Sequence, residues 1–358
     1  MTRVTLLLAV PLLLNAQARR PEVRLEGKAA TVAVDLGGGS IVDFHLAEGG
    51  LNPLAWIAPD DRDKPIRPMA HFLCLDRWGP PTDAELKNGM PFHGEASRVQ
   101  WKVSARPHAN AGRVEASLEA ALPIAGLEVR RTIGMAESAA VFVVSETVTN
   151  RNKLGRVYNL VQHATIGPPF LDENTLVDSN AGQGIMQSSP LPDPEKIPIR
   201  WPQALKDGRP VDLRRLTTDP DPNVTSFTID GETGWVTAAN PSKQLLIGYI
   251  FKTAEYPWLN LWRHVRDGKP LARGLEFGTT GFHQPFPVLM RKPRIFGRPT
   301  FWYLDSGESA TRTYAAFLLR TPADFGGVES VSHVGGKIVV VERGPRRREL
   351  SIPLERLF

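Results

Sequence analysis

Three segments of the sequence set a titratable side chain within strand-like apolar residues. His93 lies in NGMPFHGEASRVQW, on a turn just ahead of a strand, and His163 ends the strand-like run of YNLVQHATIGPPF. Glu276 lies in LARGLEFGTTGFHQPF between two large apolar neighbours. Burying a carboxylate there costs free energy unless it is paired or used, so the pattern fits either a salt-bridged strand glutamate or a catalytic group. For His93 the alternative is an ordinary hydrogen-bonded loop histidine.

An imidazole and a carboxylate that meet in one cleft provide an acid and a base for proton transfer, because their ordinary pKa values lie on either side of the working range. The sequence lacks the motifs that zinc binding, serine nucleophiles and calcium binding require. The eight histidines include no HxH or HxxxH pair for zinc, and no G-x-S-x-G nucleophile elbow occurs. The acidic run DDRD at 60–63 lacks the glycine and terminal glutamate of a calcium loop and indicates a solvated turn. The sequence predicts no metal and no cofactor.

The first eighteen residues have the features of an export signal. Arg3 precedes the apolar stretch LLLAVPLLL, and Ala16-Gln17-Ala18 is a small-x-small cleavage pattern. A retained anchor or a core helix is the alternative, but the stretch is short, contains a proline and is followed by two arginines. We expect a signal peptide over 1–18, a mature chain beginning near Arg19, and export to the periplasm or the medium.

The charge and cysteine content of the sequence exclude some classes of partner and of covalent cross-link. The net charge of +5 over 358 residues is small and spread out, and no basic stripe interleaved with aromatics indicates nucleic acid. We expect no membrane association after cleavage of the signal. Cys74 is the only cysteine, so an intramolecular disulfide is impossible, and its position in HFLCL predicts a buried, inert thiol.

Alternation with a period of two predicts the fold. Strand-like runs recur between short turns of glycine, asparagine and proline, which is typical of an antiparallel sandwich or barrel. They are TVAVDL, SIVDFHL, RVQWKVSAR, RVEASLEAAL, LEVRRTIGM, AVFVVSETVTN, RVYNLVQHATI, GWVTAAN, QLLIGYIF, TRTYAAFLL, KIVVVER and RELSIPL. The sequence predicts one all-β domain over 19–358, a large antiparallel β-sandwich with little helix. The proline-rich stretch 186–222 is expected to be a surface excursion outside the sheets.

The order of these motifs resembles the galactose mutarotase-like (aldose 1-epimerase) superfamily. The resemblance is carried by His93-Gly94-Glu95-Ala96 before a strand with Trp101, by LEVRRTIGM…VVSETVTNRN, by VQHATIGPPF and by GLEFGTT. It implies that fold, with His163 as catalytic acid, Glu276 as catalytic base and His93 as a sugar ligand. It also implies an isomerase that interconverts the α and β anomers of a sugar without a cofactor.

Further sugar-binding residues are implied less directly. The superfamily has an arginine upstream of the first histidine, for which Arg77 and Arg98 compete, and the WLNLWRHV run offers Trp262 and His264. Aromatic rings stack on the apolar faces of sugars, although core packing is the alternative for Trp262.

Two other functions stay open. The residues after His163 are Gly-Pro-Pro rather than the superfamily's aromatics, which favours a non-catalytic carbohydrate-binding or accessory sandwich. A glycoside hydrolase would need two facing carboxylates, and Glu276 is one candidate without a clear partner.

Overall fold

The computed structural model describes residues 20–58, 61–215 and 218–356. The predicted signal peptide at 1–18 and the predicted start of the mature chain at Arg19 lie outside the described residues. The described residues are 53% strand and 6% helix, which confirms the all-β prediction. Within the described ranges, no helix is long and apolar enough to cross a membrane.

The described chain contains twenty-seven strands and two short α-helices. The first half contains β1 (Glu22–Glu26), β2 (Ala30–Asp35), β3 (Ile41–Leu46), β4 (His71–Asp76), α1 (Asp83–Lys87), β5 (Lys102–Asn110), β6 (Arg113–Leu122), β7 (Leu127–Ala136), β8 (Val141–Asn150), β9 (Arg156–Ile166), β10 (Leu176–Ser179), β11 (Ala181–Met186), β12 (Ile199–Arg200), β13 (Gln203–Lys206) and β14 (Arg209–Asp212). The second half contains β15 (Val224–Ile229), β16 (Thr233–Asn240), β17 (Leu245–Lys252), β18 (Trp258–Arg266), β19 (Lys269–Gly274), β20 (Glu276–Gly278), α2 (Phe286–Arg291), β21 (Arg294–Ile295), β22 (Arg298–Pro299), β23 (Trp302–Leu304), β24 (Ser309–Arg320), β25 (Val328–Val334), β26 (Lys337–Glu342) and β27 (Glu349–Pro353). Each of the strand-like runs of the sequence overlaps one of these strands.

Two large antiparallel sheets form the sandwich. The larger has fourteen strands in the order β1-β2-β3-β4-β9-β19-β18-β15-β11-β12-β13-β14, with β20 paired to β9 and β18 and β23 paired to β9. The smaller has eight strands in the order β10-β16-β17-β24-β8-β7-β6-β5. The main hydrophobic core draws on strands of both sheets. A separate three-stranded sheet, β25-β26-β27, ends the described chain.

The alternation of side chains along each strand determines which of them face away from the core. On β9, Leu160 and Ala164 belong to the main core, whereas His163 lines a cavity. On β18, Leu259 and Leu261 belong to the core, and Trp262 lines the same cavity. Because successive side chains of a strand point to opposite faces, the larger sheet presents one polar and aromatic face outside the core.

The stretch 186–222 differs from the prediction. It is not wholly outside the sheets, because β12, β13 and β14 extend one edge of the larger sheet. These strands have two to four residues, in keeping with the proline and charge that shorten exposed edges. Beyond the end of β11, the other described residues of the stretch form loops and a short 3-10 helix (Pro194–Lys196). Lys292, from outside the stretch, pairs with Asp193 and Glu195. The excursion therefore extends the sheet as well as covering its surface.

Candidate active site

One cavity of about 380 Å³ opens on the face of the larger sheet that points away from the main core. Its wall combines five aromatic rings with a set of polar and titratable side chains. The aromatic residues are Trp56, Phe72, Trp78, Phe92 and Trp262, and the polar ones are Asp61, His93, Arg98, His163, Asn223, His264, Glu276 and His283. A concave, largely aromatic pocket with a few convergent polar groups is the usual form of a small-molecule site.

The two predicted catalytic residues meet in this cavity from adjacent strands. His163 lies on β9 opposite Phe72 of β4, and Glu276 begins β20, which pairs with β9. Between β19 and β20, Gly274 leaves the space that the Glu276 side chain fills. A Cβ atom at Gly274 would lie 2.6 Å from Glu276 Oε1. The missing side chain thus allows the carboxyl to lie flat against the sheet beside His163.

His163 and Glu276 lie in direct contact. Nε2 of His163 lies 3.1 Å from Oε1 of Glu276, and the indole N–H of Trp78 donates to Oε2 over 2.7 Å. On the other side of the ring, Nδ1 of His163 lies 2.9 Å from Oγ1 of Thr165. Phe72 stacks on the imidazole with ring centroids 4.1 Å apart. These contacts fix both the position and the plane of the ring.

Burial shifts both members of the pair toward their neutral forms. Desolvation raises the pKa of Glu276 to about 8, and the Trp78 hydrogen bond opposes this rise. Desolvation lowers the pKa of His163 to about 3. Near neutral pH the pair therefore holds one proton, on the Glu276 carboxyl, with a neutral imidazole beside it. The resting proton lies on Glu276, the reverse of the assignment expected from ordinary pKa values.

The two side chains of the pair lie next to each other on one wall of the cavity. The two oxygens that exchange protons in mutarotation, the anomeric hydroxyl and the ring oxygen, are bonded to the same carbon. Adjacent groups on one wall therefore reach both oxygens of a sugar that enters from the cavity.

A local turn brings His93 to the same cavity. His93 and Gly94 both have positive φ, +67° and +77°, and a Cβ at Gly94 would lie 2.0 Å from the Leu75 carbonyl oxygen. The glycine is required for this close approach. Nδ1 of His93 accepts from the Gly79 N–H at 3.1 Å, which leaves a protonated Nε2 as donor, and the ring centroid lies 5.4 Å from that of His163.

Glu95 fixes the position of the turn that carries His93. Its carboxylate accepts from the backbone N–H groups of Ile124 and Ala125 at 3.2 and 2.7 Å. It therefore anchors the His93 turn to the β6–β7 hairpin. Arg98 instead pairs with Asp61 at 3.0 Å and lines the cavity.

Arg77 does not reach the cavity. Asp76 has a φ of +85°, which breaks the alternation of β4 and turns the next side chain away. The Arg77 guanidinium donates to Asp76 and, through two parallel bonds of 2.8 Å each, to Glu85. Its donors are used in a buried ion-pair cluster, so the structure gives Arg77 a structural position and leaves Arg98 as the arginine at the site.

Trp262 and His264 lie on one face of β18, and both line the cavity. The Trp262 ring is 5.8 Å from the His163 ring and 5.6 Å from that of Trp56, edge-on in both cases. Of the seven predicted site residues, the structure therefore gathers His93, Arg98, His163, Trp262, His264 and Glu276 around one cavity.

Sequence reasoning missed several residues of the site. Trp78 follows Arg77 in the segment LDRWGPP and binds Glu276, while His283 follows Glu276 by seven positions in GFHQPF. The His283 ring packs edge-on against Trp78 at 4.6 Å and lies 5.5 Å from His93. Burial lowers its pKa to about 4. The available signal for His283 was a titratable ring that directly follows an apolar residue, Phe282, and stands two positions before Pro285.

The arrangement supports neutral acid–base chemistry on a small hydroxylated molecule. No group of three or more potential metal ligands occurs among the residues that the structure describes. The proton-transfer pair lies at the floor of the cavity, and aromatic rings surround it, which is the environment that a pyranose ring requires on its apolar faces.

Comparison by sequence matched no family model and no curated protein. Solved structures are similar in fold. They include a galactose mutarotase related enzyme from Lactobacillus acidophilus, with a TM-score of 0.60, 13% identity, and coverage of 84% of this chain and 98% of that one. A galactose mutarotase-like protein from Lactobacillus casei has a TM-score of 0.58 and 14% identity, and the match covers 84% of this chain and 100% of that one. One from Clostridium acetobutylicum has a TM-score of 0.57 and 13% identity, and the match covers 83% of this chain and 95% of that one.

These likenesses, at low sequence identity, establish the architecture. The chain has the galactose mutarotase-like fold, as the resemblance of its sequence motifs implied.

Proposed function

We propose that the protein is an aldose 1-epimerase-like isomerase that interconverts the α and β anomers of a sugar. The observation that carries the proposal is the contact of 3.1 Å between His163 and Glu276 at the floor of an aromatic cavity. The names of the similar structures, galactose mutarotase related and galactose mutarotase-like, support the same class of reaction.

Mutarotation requires one proton to reach the ring oxygen while another leaves the anomeric hydroxyl. The resting pair holds one proton, so Glu276 donates it and Nε2 of His163 accepts the hydroxyl proton as the ring C–O bond breaks. The open-chain aldehyde then rotates and closes on its other face, with the two proton transfers running in reverse. The proton count of the pair is the same before and after the cycle, and no metal, nucleotide or covalent intermediate enters it.

The polar residues around the pair bind the sugar. His93 and His283 lie on one side of the pair and offer ring nitrogens to hydroxyl groups, while Trp262 offers a flat apolar surface. Burial lowers the pKa values of His93 and His283, so both are neutral and do not compete with the pair for its proton.

Anomer exchange on a panel of free aldoses, followed by NMR or polarimetry, tests the proposal. Glu276→Gln keeps the shape of the carboxyl and removes its proton chemistry, so exchange falls by about 10²–10⁴-fold, the usual contribution of a positioned proton-transfer group. His163→Asn has a similar effect, and sugar binding measured by calorimetry changes far less for both. His108→Asn, a histidine on exposed β5, serves as the control.

Exchange at the wild-type rate in both variants would refute the catalytic assignment. Sugar binding that survived this result would identify the cavity as the site of a carbohydrate-binding protein.

A further inference from the structure

The cavity with the His163–Glu276 pair adjoins a second cavity of about 400 Å³. Asn223 and Val224 line both, at the start of β15. The far side of the second cavity is formed by Leu205, Lys206 and Asp207 of the β13–β14 hairpin, the part of the proline-rich stretch that extends the sheet. The excursion therefore builds a wall next to the candidate active site.

The two cavities offer different chemistry. Aromatic rings dominate the first, whereas the second is lined by amide, hydroxyl and carboxylate groups, including Ser188, Asp207 and Asp221. Its one lysine, Lys206, binds Asp219 at 2.6 Å, so the positive charge is already matched within the protein. Hydrogen-bond acceptors without a free cation suit neutral hydroxyl groups and disfavour an anionic ligand.

The position of the second cavity relative to the pair also matters. Crossing the sheet from β20 to β15 takes two steps, through β18, which corresponds to about 10 Å at the usual strand spacing. A glycan has a free anomeric carbon only at its reducing end, so all its other units must leave the pair and continue along the cleft. The two cavities meet at Asn223 and Val224, so a chain that leaves the pair on this side reaches a polar space.

We propose that the protein acts on the reducing end of a neutral oligosaccharide: one sugar unit lies against the His163–Glu276 pair, and the next lies in the second cavity between the β13–β14 hairpin and Asp221. The inference rests on the proposed function for the unit at the pair. For the neighbouring unit it rests on the adjacency of the two cavities at Asn223 and Val224 and on the polar lining of the second. Asp207 and Asp221 accept hydrogen bonds from its hydroxyls, and an acidic sugar at this position is repelled.

Calorimetry with matched saccharides tests the second site independently of turnover. Glucose, galactose, mannose and N-acetylglucosamine are each compared with neutral disaccharides that carry the same sugar at the reducing end. We expect at least one disaccharide to bind about tenfold more tightly than its monosaccharide, which corresponds to about 1.4 kcal/mol. The same disaccharide with a uronic acid as its second unit loses this advantage.

Substitutions test which residues cause the tighter binding of the disaccharide. Asp221→Asn and Asp207→Asn affect exposed side chains and are expected to reduce the disaccharide advantage by at least threefold, with monosaccharide affinity unchanged. Asp230→Asn, the same change just beyond the far end of β15, is the matched control and leaves both affinities unchanged. Equal affinities across the panel, or an advantage that survives both substitutions, would overturn the proposal.

Anomer exchange, measured on the same saccharides, separates the two proposals. Exchange on monosaccharides without any chain-length advantage would refute the second site and leave the proposed function standing. A chain-length advantage that Asp221→Asn removes, without exchange on any sugar, would support the second site and refute the isomerase.

Discussion

Gln162 and His163 are neighbours on β9, yet their side chains enter two polar clusters on opposite faces of the same sheet. His163 meets Glu276 beside the cavity. Gln162 points into the core, where its amide donates to Glu146 at 2.5 Å and its oxygen accepts from His71 at 3.1 Å. Each cluster contains a histidine and a glutamate that are almost fully buried.

The core cluster has a cation and connects the two sheets. Arg131 of β7 binds Glu146 of β8 at 2.7 Å and stacks over Trp101 at 4.6 Å. Gln162 and His71 reach the same group from β9 and β4 of the larger sheet. The charge of the carboxylate is compensated and its oxygens are bonded, so this cluster holds structure together.

The cleft cluster lacks that compensation. In the described part of the chain, the partners of the Glu276 carboxyl are Trp78 and His163, with no lysine or arginine within ion-pair distance. Burial without a cation raises the pKa of Glu276, and the adjoining cavity gives a ligand access to the resulting proton. The comparison indicates that a buried glutamate paired with an arginine stabilises the fold. A buried glutamate beside a cavity, with no arginine, is instead available for proton transfer.

The same substitution in the two clusters tests this distinction and should give the largest difference in stability. Glu146→Gln leaves the Arg131 charge buried without a partner, so the free energy of unfolding falls by about 3–5 kcal/mol. Glu276→Gln removes no charge partner, and the free energy of unfolding stays within about 1 kcal/mol at pH 4, where the wild-type carboxyl is mostly protonated in the folded and the unfolded state. Urea denaturation followed by tryptophan fluorescence measures both.

The pH dependence of these variants provides a second readout. The pKa of Glu276 is raised in the folded state from 4.5 to about 8, so its contribution to stability is present below pH 4.5 and is lost as the pH rises toward 8. Glu276→Gln lacks this loss and should gain stability relative to the wild type at pH 8. If the Glu146→Gln variant were as stable as the wild type, the structural role assigned to the core cluster would be contradicted.

Arg77 provides the next test, because the sequence placed it in the cleft and the structure places it in an ion-pair cluster. Arg77→Ala leaves Asp76 and Glu85 without their bonds to the guanidinium, and we expect a loss of about 1–3 kcal/mol in the free energy of unfolding. Sugar affinity, measured by calorimetry, should be unchanged. A weakened affinity with intact stability would place Arg77 at the site after all.

The sequence was sufficient for the fold because the fold follows from local patterns, whereas the pairing of His163 with Glu276 was implied by the resemblance to the superfamily. Alternation with a period of two placed Leu160 and His163 on opposite faces of β9, and apolar neighbours marked Glu276 as unusual. Arg77 was misplaced because one residue, Asp76, adopts a positive φ and reverses the alternation. Trp78 was missed because its bond to Glu276 joins residues 198 positions apart, a contact that no local pattern contains.

The smallest and most specific effect is expected from Trp78. Its N–H bond to Glu276 stabilises the ionised carboxylate and opposes the rise in pKa that burial causes. The proposed reaction needs the proton on the pair, so we expect kcat/KM to fall as the pH rises through the pKa of Glu276. Trp78→Phe keeps the apolar ring and removes the N–H. We therefore expect the descending limb of the pH profile to move to higher pH.

The same variant should lower kcat/KM at neutral pH by about tenfold, because the carboxyl loses one of the bonds that fix its orientation. Trp262→Phe is the matched control, since Trp262 lines the same cavity without a bond to Glu276. Its pH limb stays at the wild-type position even if affinity for the sugar falls. A limb that did not move in Trp78→Phe, or that moved equally in both variants, would show that Trp78 merely packs against the pair.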